Sequence, residues 1–108
     1  MERLRLDILI RHEPLARALH STLSHLFEAL TAVTEGFEAR AESTILTTTT
    51  DCSPAKCREF VGRGHNVVVL AALPNAEQED GYMSSGASGY LSMEADAAKL
   101  SHFLASLA

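Results

Sequence analysis

Hydrophobic positions follow two different periods along the chain. Val67–Leu73 (VVVLAAL), between Asn66 and Pro74, is apolar without a break and leaves no side for water. A short, β-branched run of this kind predicts a strand covered on both faces, the usual state of a parallel sheet between helices. Leu4–Ile10 predicts the first strand: Leu4 and Leu6 alternate with Arg3, Arg5 and Asp7, and the segment then turns continuously apolar at Ile8, Leu9 and Ile10. After it the spacing changes to three and four. Leu15, Leu19, Leu23, Leu26, Phe27 and Leu30 form one helical stripe, opened by Pro14. Thr31, Thr34 and Gly36 predict a break near 31–36, with a second short helical piece after it.

Ser43–Thr50 (STILTTTT) favours a strand, because threonine loses side-chain freedom against a preceding helical turn. Pro54–Val61 predicts a short helix with Asp51 or Ser53 as its N-cap and Gly62 and Gly64 at its end. A helix after Pro74 through Tyr82–Ser85 closes at Gly86; a strand, Gly89–Met93, and a helix, Ala95–Leu107, with Leu100, Phe103, Leu104 and Leu107 inward, complete the chain. With right-handed crossovers this alternation gives an α/β fold, a doubly wound parallel sheet of four or five strands. Four strands are clear; a fifth is absent or hidden in Thr31–Ala41.

The totals narrow the function classes. The 108 residues make one domain, and 46% hydrophobic content fits a folded chain. A formal charge of −5 argues against direct nucleic-acid contact by this domain, since phosphate binding needs a basic surface. No run is long and apolar enough for a membrane span, and MERLRLDILI, interrupted by Asp7, makes a poor signal peptide. Cys52 and Cys57 are then expected to be reduced thiols in a cytoplasmic protein.

Few residues carry chemistry. Arg11 and His12 end the first strand, and crevices outside such ends are where these sheets bind ligands. With Asn75 they are the candidate ligand-binding residues, for a small-molecule effector; otherwise Arg11 pairs with Glu13 or Asp51. Cys52 and Cys57 are five apart with Pro54 between them, which suits neither a metal nor a redox pair, and Cys57 reads as a small apolar residue of its helix. His12, His20, His25, His65 and His102 match no ligand spacing, no glycine run cradles a phosphate, and no nucleophile has a base. The expectation is no metal, no cofactor and no enzyme.

Two stretches resemble one family. Ser85–Met93 (SGASGYLSM) is similar to the end of the receiver domain of bacterial response regulators, where a helix ends in Gly-Ala, a polar residue and Gly follow, and the last strand carries an aromatic, a leucine and then a lysine. Leu6–Leu19 (LDILIRHEPLARAL) is similar to the family's opening: an apolar strand, two acidic residues, a polar residue, Pro-Leu, and a helix with Arg and Leu spaced as Arg17 and Leu19 are. The likeness is to receivers that precede a helix-turn-helix DNA-binding domain. It implies a flavodoxin-like topology and phosphoryl transfer from a histidine kinase to an aspartate, with magnesium on the acidic pair and the lysine on the phosphoryl group.

Carried over residue by residue, that chemistry is missing. The acidic pair's positions hold Arg11 and His12, Glu13 is one residue late, and the lysine's position holds Met93. If Val67–Leu73 is the middle strand, the acceptor's place falls at about Ala71. If it is the next one, Ala71 or Ala72 takes the place of the switch hydroxyl and the acceptor falls in Thr47–Asp51. The first alignment is preferred, because Asp51–Asn66 has the length of one helix and turn; the segment after the strand is then shortened. Magnesium demands several hard oxygen ligands, and Arg11 supplies none. Asp51 reads as a helix cap rather than a rescued acceptor. Tyr90 takes the family's aromatic switch position.

The expected protein is therefore an atypical, degenerate receiver-like domain over residues 1–108 that performs no phosphoryl transfer. It acts by protein contact, as a homodimer, in signalling such as transcription control, with a DNA-binding domain attached outside the given sequence. The family's dimer face, its last strand and helix, here presents Tyr90, Met93, Lys99, His102 and Phe103. The other reading is a small-ligand-binding or enzymatic flavodoxin-like domain that uses the same crevice.

Overall fold

The computed structural model describes residues 5–24, 28–32, 43–94 and 97–107. Five parallel strands, β1 (Arg5–Leu9), β2 (Glu28–Ala32), β3 (Thr44–Thr48), β4 (Asn66–Ala71) and β5 (Gly89–Ser92), form one sheet in the order β2-β1-β3-β4-β5. Helices α1 (Glu13–Leu23), α2 (Pro54–Gly62), α3 (Ala76–Ser84) and α4 (Ala97–Ala105) alternate with them.

The apolar run behaves as a strand covered twice. Val68 and Leu70 join Leu6, Ile8, Leu46, Leu100 and Leu104 in the core on one face. Val67 and Val69 join Ile45, Cys57, Phe60 and Tyr82 on the other. A side-chain period of two thus sends one sequence of apolar residues into two separate cores. β4 stops at Ala71, and Leu73 beyond it is 85% exposed.

Two expectations are corrected. The α1 stripe does not continue to Leu30: the helix ends at Leu23, where the Ser24 N–H donates to the His20 carbonyl, and Leu30 belongs to β2. Pairing with β1 outweighs a helical spacing that Thr31 already weakened, with Leu30 opposite Asp7 and Thr31 opposite Ile8. The second correction follows from the first. With the fifth strand found at Glu28–Ala32, the middle of the sheet is Thr44–Thr48, not Val67–Leu73, and Ala71 ends the fourth strand instead. Asp7, read as the polar side of an alternating strand, is buried on β1. His25, Leu26, Phe27, Ala95 and the second short helical piece expected after the break at 31–36 lie outside the described residues.

The remaining elements start where local chemistry places them. Ser53 caps α2, its Oγ accepting from the Lys56 N–H at 3.2 Å, and Pro54 follows. Asn75 caps α3 by accepting from the Gln78 N–H at 2.7 Å. Gly86 closes α3 at φ 99°, a conformation that favours glycine. Among the described residues, no helix is long and apolar enough to cross a membrane.

Candidate functional site

Because β1 and β3 are neighbours in the sheet, with Leu9 opposite Thr47, their C-terminal ends open into one crevice. It is a cleft of about 400 Å³ lined by Ile10, Arg11, His12, Leu15, Thr48, Thr50, Asp51 and Met93. Three of the residues singled out from the sequence, Arg11, His12 and Met93, are thus brought together. Asn75 is not with them: its side chain is spent on the α3 cap. Ala71 is buried, and its carbonyl accepts from the Met93 N–H at 2.9 Å.

Of the two caps expected for α2, Ser53 takes the role and Asp51 does not; Asp51 instead meets Arg11, through that residue's backbone N–H. One carboxylate oxygen accepts from Thr48 Oγ1 at 2.6 Å and the other from the Arg11 backbone N–H at 3.1 Å. The Asp51 N–H returns a bond to Thr48, and the Cys52 N–H donates to the Thr48 carbonyl. The carboxylate therefore staples the β3–α2 turn to the end of β1 across the cleft. Glu13 pairs with Arg17 at 2.8 Å on the outside of α1.

This donor set does not fit magnesium. The ion needs near-octahedral oxygen ligation, yet Asp51 already has both oxygens bonded, and Arg11 and His12 stand beside it. Among the described residues, no three His, Cys, Asp or Glu side chains are grouped to hold a metal ion.

Tyr82 was missed. It is buried in the second core, and its hydroxyl donates to the Cys52 carbonyl, with the Thr49 carbonyl at 3.4 Å. Its ring stacks on Tyr90 with centroids 6.0 Å apart. The Tyr90 hydroxyl donates to Gln78 Oε1 and accepts from the Asn75 N–H at 3.3 Å. Two tyrosines thus connect the cleft's rear loop to α3 and β5. A signal existed: α3 (AEQEDGYMS) holds a single aromatic, the side chain best able to anchor so polar a helix. Of the remaining interface candidates, Lys99 and His102 are exposed and Phe103 is half-buried.

Burial pushes the Cys52 thiol from 9.0 up to about 12, with Cys57 adding to the rise, and raises Cys57 as well. Tyr82 rises from 10.0 to about 12, first by burial and then through the two thiols. Well below pH 9.0 all three are neutral in both folded and unfolded chains. As pH climbs from there toward about 12, the unfolded chain releases protons that the fold retains, so stability falls. The urea midpoint is expected to drop across that window, and both thiols to resist iodoacetamide at neutral pH until the chain unfolds. A flat midpoint, or rapid alkylation of the folded chain, contradicts this burial.

No family model matches the chain, and no curated protein does. Solved structures match along nearly its whole length. The receiver domain of the putative response regulator NarL from Mycobacterium tuberculosis superposes with TM-score 0.85 at 12% identity, over 99% of this chain and 97% of that one. A response regulator from Thermotoga maritima gives 0.82 at 13%, over 97% of each chain. FixJ-N gives 0.82 at 16%, over 97% of this chain and 93% of that one. With a five-stranded sheet in the order β2-β1-β3-β4-β5 and alternating helices, the chain has the receiver-domain fold of response regulators.

Proposed function

We propose that this domain is a regulatory module of the receiver type that works by protein contact and without phosphoryl transfer. The observation that carries the reading is the state of Asp51. The middle strand now lies at Thr44–Thr48, so the acceptor's place falls in Thr47–Asp51, and the carboxylate in that span is held by Thr48 and the Arg11 N–H. Arg11 and His12 replace the carboxylates a magnesium ion would need, and Met93 replaces the lysine. No enzymatic role is assigned to the cleft.

The contact face is the side formed by β5 and α4, where Lys99 and His102 are exposed and Phe103 is half-buried. It pairs with a second copy, and the output is transcription control through an attached DNA-binding domain; a protein described as a DNA-binding response regulator from Staphylococcus aureus is similar in fold. The chain is acidic overall, so DNA contact belongs to that other domain.

Intact mass after incubation with acetyl phosphate and magnesium tests the reading. The mass is expected to stay unchanged for the wild type and for Asp51→Asn alike. A stoichiometric phosphoryl adduct that Asp51→Asn removes would overturn it.

A further inference from the structure

We propose that the outer face of α2 and α3 is a self-complementary surface on which two copies of the chain pair about a two-fold axis. The helices pack side by side: a Cβ built at Gly81 would lie 3.8 Å from Pro54 Cγ, and one built at Gly86, just past α3, would lie 2.9 Å from Val61 Cγ1. Their inner sides are spent in one core, through Cys57 and Phe60 of α2 and Tyr82 of α3. Outward they carry charge in two separate sets. Lys56 and Glu59 satisfy each other at 3.2 Å. That leaves Arg58 on α2 and Arg63 at its C-cap, and Glu77, Glu79 and Asp80 on α3. All five are exposed, and among the described residues their side chains form no hydrogen bond or ion pair.

Chain connectivity places the two sets at opposite ends of the face. β4 starts just after Arg63 and ends just before α3. Arg63, with Arg58 nearer the middle, therefore lies toward the amino end of β4, and the acids lie toward its carboxyl end. The helix dipoles suit this placing, acids at the positive start of α3 and Arg63 at the negative end of α2. A face with one sign at each end selects its partner. A uniformly charged partner, such as a nucleic acid or an anionic lipid surface, is attracted at one end and repelled at the other. A second copy turned by a two-fold rotation sets the acids of each α3 against the bases of the other copy's α2, so every contact is made twice. Exposed charge pairs contribute little by themselves. The apolar part comes from Leu73, just before α3, and Met83, in its last turn, the two large apolar side chains that the described residues leave exposed. Leu100 and Leu104 of α4 pack in the core on the other side of the sheet, so this surface is distinct from the contact proposed above. Used together, two different two-fold contacts join copies into an open row.

The test is run in the His102→Glu background, which opposes the β5–α4 contact. Sedimentation equilibrium of this parent is expected to show a dimer at low salt that weakens as added salt screens the pairs. Arg58→Glu with Arg63→Glu, and Glu79→Lys with Asp80→Lys, are each expected to weaken that dimer by about tenfold or more, since like charges then face each other at both ends of the contact. An equimolar mixture of the two variants is expected to dimerise again as one copy of each, because their faces then carry opposite net signs. All four positions are exposed, so the thermal midpoints should stay near the parent's. If a midpoint falls, the neutral changes Arg58→Gln with Arg63→Gln replace the reversal, with a weakening of about threefold. A parent that stays monomeric at low salt, charge variants that pair as tightly as the parent, or a mixture no tighter than its components would overturn the proposal. A dimeric wild type beside a monomeric parent removes only this face and leaves the β5–α4 contact standing.

Discussion

Replacing Tyr82 by alanine is expected to cost about 3–5 kcal/mol, a large share of the whole stability of a domain this size. Tyr82 is 2% exposed and sits among Ile45, Cys52, Cys57, Phe60, Val69 and Ala87, so truncation leaves an aromatic-sized void beneath α3. α3 brings no second large side chain to that core: Met83, the other bulky apolar residue of the helix, is 45% exposed. Tyr82→Phe separates the ring from its hydroxyl. The ring still stacks on Tyr90, but the Cys52 carbonyl loses its donor, at a cost of about 1–3 kcal/mol. Urea denaturation of the three proteins reads both numbers. Amide exchange should quicken at Thr49–Cys52 in the phenylalanine variant without reaching the first core around Leu46 and Val68. Equal losses for alanine and phenylalanine would mean that the ring contributes nothing beyond its hydroxyl, against the packing described.

That residue marks the boundary of what the sequence disclosed. Val67–Leu73 was legible as a strand because a run without polar positions admits one environment, and the structure divides Val67, Val68, Val69 and Leu70 between two cores as that environment requires, although the strand stops at Ala71 and leaves Leu73 exposed. Pro54, Gly86 and the STILTTTT run were legible for local reasons of ring closure, positive φ and β-branching. β2 was not. Glu28–Ala32 carries leucine and alanine at spacings that continue a helix, and only its pairing with β1, a contact distant in the chain, makes it a strand. The error then propagated: a missing second strand promoted β4 to the middle of the sheet and put Ala71 where the tip of β3 belongs. Asp51 was legible only in part. As an Asp two residues before Ser-Pro it looks like a cap, and although the strand-end crevice suggests Asp51 as a partner of Arg11, the bond is to the backbone N–H across 40 positions that no local rule connects. The resemblance at the two chain ends was sound for the fold, because both stretches lie where turn chemistry and strand pattern are locally determined.

Gly89→Ala is expected to destabilise the domain by about 1–3 kcal/mol through overpacking. Gly89 opens β5 opposite Val68, and a Cβ built there would collide with Cζ of Phe103 and lie 2.6 Å from its Cε1. The strand cannot yield, because the Ser88 N–H donates to the Val67 carbonyl at 2.8 Å and holds it in register. The ring has to move, and Phe103 lies on the face proposed for contact between copies. Phe103→Leu shortens the side chain in the crowded direction, so the double variant should recover part of the loss, with a coupling of about 0.5–3 kcal/mol in the cycle. Solution mass by light scattering makes the same substitution informative about function. If α4 and β5 form the interface, Gly89→Ala should weaken dimerisation while the double variant restores it only where leucine can fill the partner's surface. A monomeric wild type, or a dimer indifferent to Gly89→Ala and to His102→Glu, removes this face from the proposal and leaves the Phe103 contact as packing alone.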